Sequence, residues 1–140
     1  MSEFLTKFEE ATVPDPEWGH RRVRRLSDAA GEGWAEIVVC DEPPNAIRIE
    51  SLLAEPERRG TGTRAMEFLC KLADQLEAVL VLEPLPIPRD RSSYSPCVLS
   101  NRPAVDLAGV AQLRRWYEKF GFAENLDDSK EMVRQPGARP

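Results

Sequence analysis

Gly60 and Gly62 stand one residue apart within PERRGTGTRAMEFLCKLADQL, residues 56–76, just ahead of a long amphipathic run. The chemistry such a turn supports is anion binding. A helix start concentrates unpaired N–H donors and the positive end of the macrodipole, which favours phosphate above all. Glycine at both positions allows positive φ and lets a ligand reach the main chain without meeting a Cβ. Taken alone, the pair serves equally well as a tight strand-to-helix turn, and that plainer reading leads until other residues are weighed.

Two familiar phosphate sites can be tested against the spacing. Gly60, Gly62 and Ala65 satisfy G-x-G-x-x-A, and Glu83 stands about 20 residues on, where a ribose-binding acid belongs in a dinucleotide fold. However, Pro56-Glu57-Arg58-Arg59 separates the preceding strand from the first glycine, and the chain is short for two mononucleotide-binding halves. A P-loop is excluded, because no Gly-Lys-Ser/Thr follows.

Other reactive groups are few. His20 is the only histidine, so a Ser/His or Cys/His machine has little support. Cys40, Cys70 and Cys97 are widely spaced and odd in number, which fits neither a disulfide framework nor a metal site. Cys70 falls beside the apolar face of a helix and reads as an inert buried thiol. Glu50 and Glu83 are carboxylates at strand positions, able to serve as a base or to remain solvated. His20–Arg25, HRRVRR, reads as a short edge strand or loop with charged faces.

The elements that must position these groups follow from periodicity. Phe4, Leu5 and Phe8 have helical spacing before Pro14 and Pro16, so residues 1–20 form an arm or short helix. WAEIVVC at 34–40 reads as a strand, and AIRIESLLA at 46–54 as another. Its alternation slips at Leu52–Leu53, which calls for a bulge there. Ala65, Leu69, Leu72 and Leu76 define a helix, with Arg64, Glu67, Lys71 and Asp74 facing away. VLVL at 79–82 suits a strand buried on both faces, and strand–helix–strand implies a parallel crossover. The Pro-rich stretch 84–105 is a long loop. Asp106 then caps a helix turning Leu107, Val110, Leu113, Tyr117 and Phe120 inward, and Gly121 ends it. Strand-like residues from Phe122 are interrupted at Glu124–Lys130 and resume at Glu131–Arg134. Residues 136–140 read as a disordered tail.

At 140 residues the chain reads as one domain, 21–135, behind its N-terminal arm. With 24 acids against 19 bases the net charge is −5, which argues against nucleic acid as a partner. No stretch is long and apolar enough for a membrane span, and the N-terminus lacks a signal's hydrophobic region, so the cytoplasm is the expected compartment.

PERRGTG, taken with LRRWYEKFGF at 113–122, resembles the GCN5-related N-acetyltransferase (GNAT) superfamily, especially short members from phage and prophage genomes. That family carries R/Q-x-x-G-x-G/A after an apolar strand, and later a helix ending in Tyr-x-x-x-Gly-Phe. The resemblance spans roughly residues 46–134, with Glu57 where Gln or Arg is usual. It implies an α+β fold: a central mixed, mostly antiparallel sheet, split between two parallel strands and flanked by helices. It implies an acetyl-CoA-dependent N-acetyltransferase that moves acetyl directly to a small-molecule or protein amine, without a metal. The alternative is a weakly active or inactive protein of the same fold that acts through protein contacts. A homodimer is compatible with either. In the implied site, the main chain of Leu52, Leu53 and Ala54 pairs with the pantetheine arm. Arg58, Arg59, Gly60, Thr61, Gly62 and Thr63 hold the pyrophosphate, with hydroxyl donors from Thr61 and Thr63. Tyr117 acts on the departing thiolate, and Glu50 on the acceptor amine, with Glu83 as the other carboxylate.

Overall fold

The computed structural model describes residues 2–14, 23–27, 33–42, 45–55, 60–85 and 107–139. Arg58, Arg59, Asp106, His20 and nearly all of the 84–105 loop lie outside the described residues, as do the expectations attached to them.

The fold is α+β. Among the described residues seven strands form one mixed sheet, β1-β2-β3-β4-β5-β7-β6, with three helices. The strands are β1 (Val13–Pro14), β2 (Arg24–Ser27), β3 (Trp34–Glu42), β4 (Ala46–Glu55), β5 (Val79–Leu82), β6 (Ala123–Asn125) and β7 (Asp128–Arg134). The helices are α1 (Glu3–Ala11), α2 (Thr61–Gln75) and α3 (Leu107–Glu118). Among the described strands only β4 and β5 run parallel; every other neighbouring pair is antiparallel. A doubly wound dinucleotide fold needs a largely parallel sheet, so the G-x-G-x-x-A match does not mark one here.

The core lies between the sheet and α1 and α2. Ile37, Val39, Ile47, Ile49, Leu80, Leu82 and Met132 meet Ala65, Met66, Leu69, Leu72 and Ala73 of α2. The N-terminal segment is more than an arm, since α1 buries Phe4 and Phe8 in this same cluster. Ser2 Oγ accepts from the Leu5 N–H at 3.2 Å and caps its start. Its far end is closed by Arg24, whose Nη2 donates to Glu9 O and Thr12 O at 3.0 and 2.8 Å. Arg24 comes from the basic segment expected at a sheet edge, but β2 lies inside, between β1 and β3.

Several boundaries shift for local reasons. The break expected over residues 124–130 narrows to a turn at Leu126–Asp127 between β6 and β7, with Asn125 Oδ1 accepting from the Asp127 N–H at 3.0 Å. Phe120 lies just past α3, in the turn that Gly121 closes at φ 96°. The end of the chain, expected to be loose, is held through residue 139: the Gly137 N–H donates to Asp74 Oδ1 at 2.6 Å.

Candidate functional site

β4 and β5 pair through Ala46↔Val79 to Ile49↔Leu82 and no further, while β4 continues to Glu55. Its other edge stays on β3 as far as Glu55↔Trp34. Residues 50–55 therefore form one wall of an opening in the sheet about 20 Å long. No described strand pairs with β4 on that side beyond Ile49. In this segment every second residue turns its N–H and C=O away from β3 and toward the opening.

The fork coincides with a bulge. Val38 pairs with Ser51 and Val39 with Ile49, so Glu50 is the extra residue. The slip expected at Leu52–Leu53 thus originates two residues earlier. It resets the alternation, so that Leu52, opposite Ile37, packs on the core, while Leu53 lies opposite Glu36. Glu50 is half-buried, and its Oε1 accepts from the Cys40 thiol at 3.6 Å. In the parallel register the residues after Ile49 and Leu82 are Glu50 and Glu83, so the two carboxylates flank the fork. Glu131, next to the Met132 that pairs with Leu82, stands one strand further across.

Arg48 ties this level together. Its Nη2 bonds Glu42 at 2.7 Å and also Glu131. Burial opposes the Arg48 charge, but the bonds from Glu42 and Glu131 outweigh it and raise its pKa above the ordinary value.

From Glu55, four residues lead to Gly60, which caps α2 at φ 80° with no side-chain hydrogen bond. The Arg64 N–H is the first to close on the helix, bonding Gly60 O at 3.0 Å. The N–H groups of Thr61, Gly62 and Thr63 have no helical carbonyl four residues back. No acidic residue stands in the first turn to compete for them. Two expectations change here. Gly62 lies inside the helix and does not take positive φ, so only Gly60 needs the left-handed region. Thr61 is 3% exposed and belongs to the core side, leaving Thr63, half-buried, as the hydroxyl nearer the surface.

Arg64 is exposed, as its place on the outer face of the helix predicts, and its Nη1 lies 2.8 Å from where a Cβ on Gly60 would sit, so the guanidinium folds back over the helix mouth. Helical periodicity could not reveal this, because it sets where a side chain leaves the helix and not where a long one ends.

Tyr117 lies on α3 and packs against the core cluster. Its ring is half-buried, edge-on to Trp116 at 5.0 Å and tilted against Phe122 at 5.7 Å. Phe122 leads into β6, and the β6–β7 hairpin lies alongside β5. Cys70 is buried in the core, and burial pushes its thiol up to about 11, so it takes no part in thiol chemistry near neutrality. Among the described residues no group of three or more His, Cys, Asp or Glu could hold a metal. No helix among them is long and apolar enough to cross a membrane. A cavity of about 410 Å³ lies at the opposite end of the sheet, between Phe4, Asp41, Ile47, Leu76 and Ala78. Asp41 there already accepts from the Ser2 N–H at the start of α1, so this cavity is separate from the fork.

No family model matches the chain, and no curated protein matches it. Among solved structures it is similar to one titled "Crystal structure of Anti-CRISPR protein AcrVA5". The identity is 16% over 76% of this chain and 92% of that one, with a TM-score of 0.49. A likeness of that depth identifies neither a family nor an activity.

Proposed function

We propose that the chain is an acetyl-CoA-dependent N-acetyltransferase of the GNAT type, transferring acetyl directly to an amine. One observation carries this reading: the only parallel pair among the described strands parts after Ile49↔Leu82, while β4 runs on without β5 toward a helix capped by a left-handed glycine. That arrangement suits a ligand with an amide-rich arm and a phosphate end. The arm pairs with the β4 edge at Leu52–Ala54 as an added strand would. The phosphates meet the N–H groups at the start of α2, under the Arg64 guanidinium. Gly60 keeps that approach open, since no Cβ intrudes.

The chemistry then belongs to groups at the fork. An amine at neutral pH is an ammonium and must lose a proton before it attacks the thioester carbonyl. Glu50 and Glu83 flank the fork and are the carboxylates available to take that proton, directly or through water. As the tetrahedral intermediate collapses, the carbon–sulfur bond breaks and CoA leaves as thiolate. The Tyr117 phenol supplies the proton to sulfur. The acceptor is a small amine or a protein amino group.

Calorimetry with acetyl-CoA and NAD tests the reading. Binding of acetyl-CoA that is lost in Gly60→Glu supports it. Failure to bind acetyl-CoA refutes it, and leaves a protein of this fold that works through contacts instead. Full transferase activity in Tyr117→Phe would remove the phenol from the mechanism.

A further inference from the structure

Arg134 is 2% exposed on β7, a charged residue where an apolar one would be expected. Its guanidinium spans three parts of the fold. Nη1 and Nη2 bond the two carboxylate oxygens of Asp74 on α2 at 2.7 and 3.2 Å. Nε donates to Phe120 O at 2.6 Å, and Nη2 also donates to Ala138 O at 3.1 Å. Phe120 in turn holds Tyr117, because its N–H bonds Tyr117 O at 2.9 Å, with the Phe122 N–H on the same oxygen at 3.4 Å. Ala138 closes the turn from outside: a Cβ on Gly121 would come within 3.0 Å of its main chain.

We propose that the Arg134–Asp74 pair is a positioning device for Tyr117, setting the turn after α3 against α2. The inference rests on the reading of Tyr117 as the group that protonates the thiolate. A buried ion pair is a weak source of stability compared with an apolar replacement, so its retention points to geometry that the pair specifies. Arginine suits this task because its planar fork serves the Phe120 carbonyl and both Asp74 oxygens at once. Lysine, with its donors on a single atom, cannot reproduce that span. Asp74 contributes from the α2 side, about 20 Å along the helix from Gly60. Loosening the pair therefore disturbs Tyr117 and spares the helix mouth.

The chain has two tyrosines, so 3-fluorotyrosine incorporated into a Tyr94→Phe background gives one fluorine resonance, that of Tyr117. Ring currents from Trp116 and Phe122 make that resonance sensitive to where the ring sits. Arg134→Lys, or Asp74→Asn if the lysine variant does not fold, should shift or broaden it. Phe8→Leu, a core change on α1, should leave it in place. A resonance unmoved by the Arg134 and Asp74 variants, or moved equally by Phe8→Leu, overturns the proposal. In acetyl transfer to poly-L-lysine, Arg134→Lys should lower kcat about tenfold with KM for acetyl-CoA within twofold, and should cost little more on top of Tyr117→Phe. Additive losses in that cycle would also overturn it. Absence of transfer by the unaltered protein refutes the enzymatic reading alone, and the fluorine resonance still decides the positioning.

Discussion

Replacing Gly60 by alanine separates the backbone role of this position from its role at the ligand. A non-glycine residue held at φ 80° costs about 1–2 kcal/mol. The new Cβ would also meet Arg64 Nη1 at 2.8 Å, but that atom ends a flexible side chain and can swing aside. Globular proteins unfold with an entropy of about 2.1 cal/mol/K per residue, so 140 residues give roughly 0.3 kcal/mol/K. The strain therefore corresponds to a fall in Tm of roughly 3–7 °C. The methyl group and the displaced Arg64 act on the anion separately. An anion at a helix start is worth up to about 1–2 kcal/mol, so acetyl-CoA affinity should fall roughly five- to thirtyfold. S-acetylpantetheine, which lacks the pyrophosphate, should bind Gly60→Ala and the unaltered protein equally. Thermal unfolding and calorimetry with both ligands make the comparison. A variant whose Tm falls as expected while acetyl-CoA affinity stays within twofold would show that the helix mouth is not the phosphate site.

Further outcomes follow from other parts of the molecule. The hydrogen bonds from Arg134 hold the Asp74 carboxyl below its ordinary pKa of 3.8. A depressed carboxyl stabilises the fold above its unfolded pKa and loses that contribution as pH falls through the folded value. Asp74→Asn should thus lose about 1.5–3 kcal/mol in denaturant titrations at pH 7, and the gap to the unaltered protein should narrow as the pH falls below 3.8. Phe8→Ala should cost about 3–5 kcal/mol, as for any buried core aromatic, whereas a detachable N-terminal arm would make it nearly silent. At pH 8 the folded protein should leave Cys70 unlabelled by thiol reagents until denaturant is added, because its thiol titrates at about 11. Glu50→Gln should lower kcat at least about 10²-fold if Glu50 takes the amine proton, with Glu83→Gln as the comparison that assigns the base.

The parts of this structure legible in the chain are those governed by local periodicity. Spacing of 3.6 located α2 and the Phe4/Phe8 face of α1, and the uninterrupted VLVL run located β5 with its two buried faces. Gly121 marked the end of α3 because only a left-handed residue closes that turn. The slip in alternation near Leu52 was likewise visible as a fault in the pattern. Its source at Glu50 was not, since a bulge is defined by the partner strand, here the step from Val39↔Ile49 to Val38↔Ser51. For the same reason the placing of Glu50 and Glu83 just beyond the last β4–β5 pair could not be read. The two lie far apart in the chain and share a level only through the parallel register.

Long charged side chains divide along the same line. Arg64 and Asp74 sit on the polar phase of α2, whereas Arg134 shares the buried phase of β7 with Met132. Tertiary structure folds Arg64 over Gly60 and buries Arg134 against Asp74, because a guanidinium reaches whichever acceptors packing brings near. The sequence by itself determined that a glycine opens the α2 helix, since helical spacing and a missing Cβ are properties of a few adjacent residues. Only the tertiary structure decided that this helix start follows a strand whose neighbour parts from it, because strand pairing depends on residues brought together from across the whole chain.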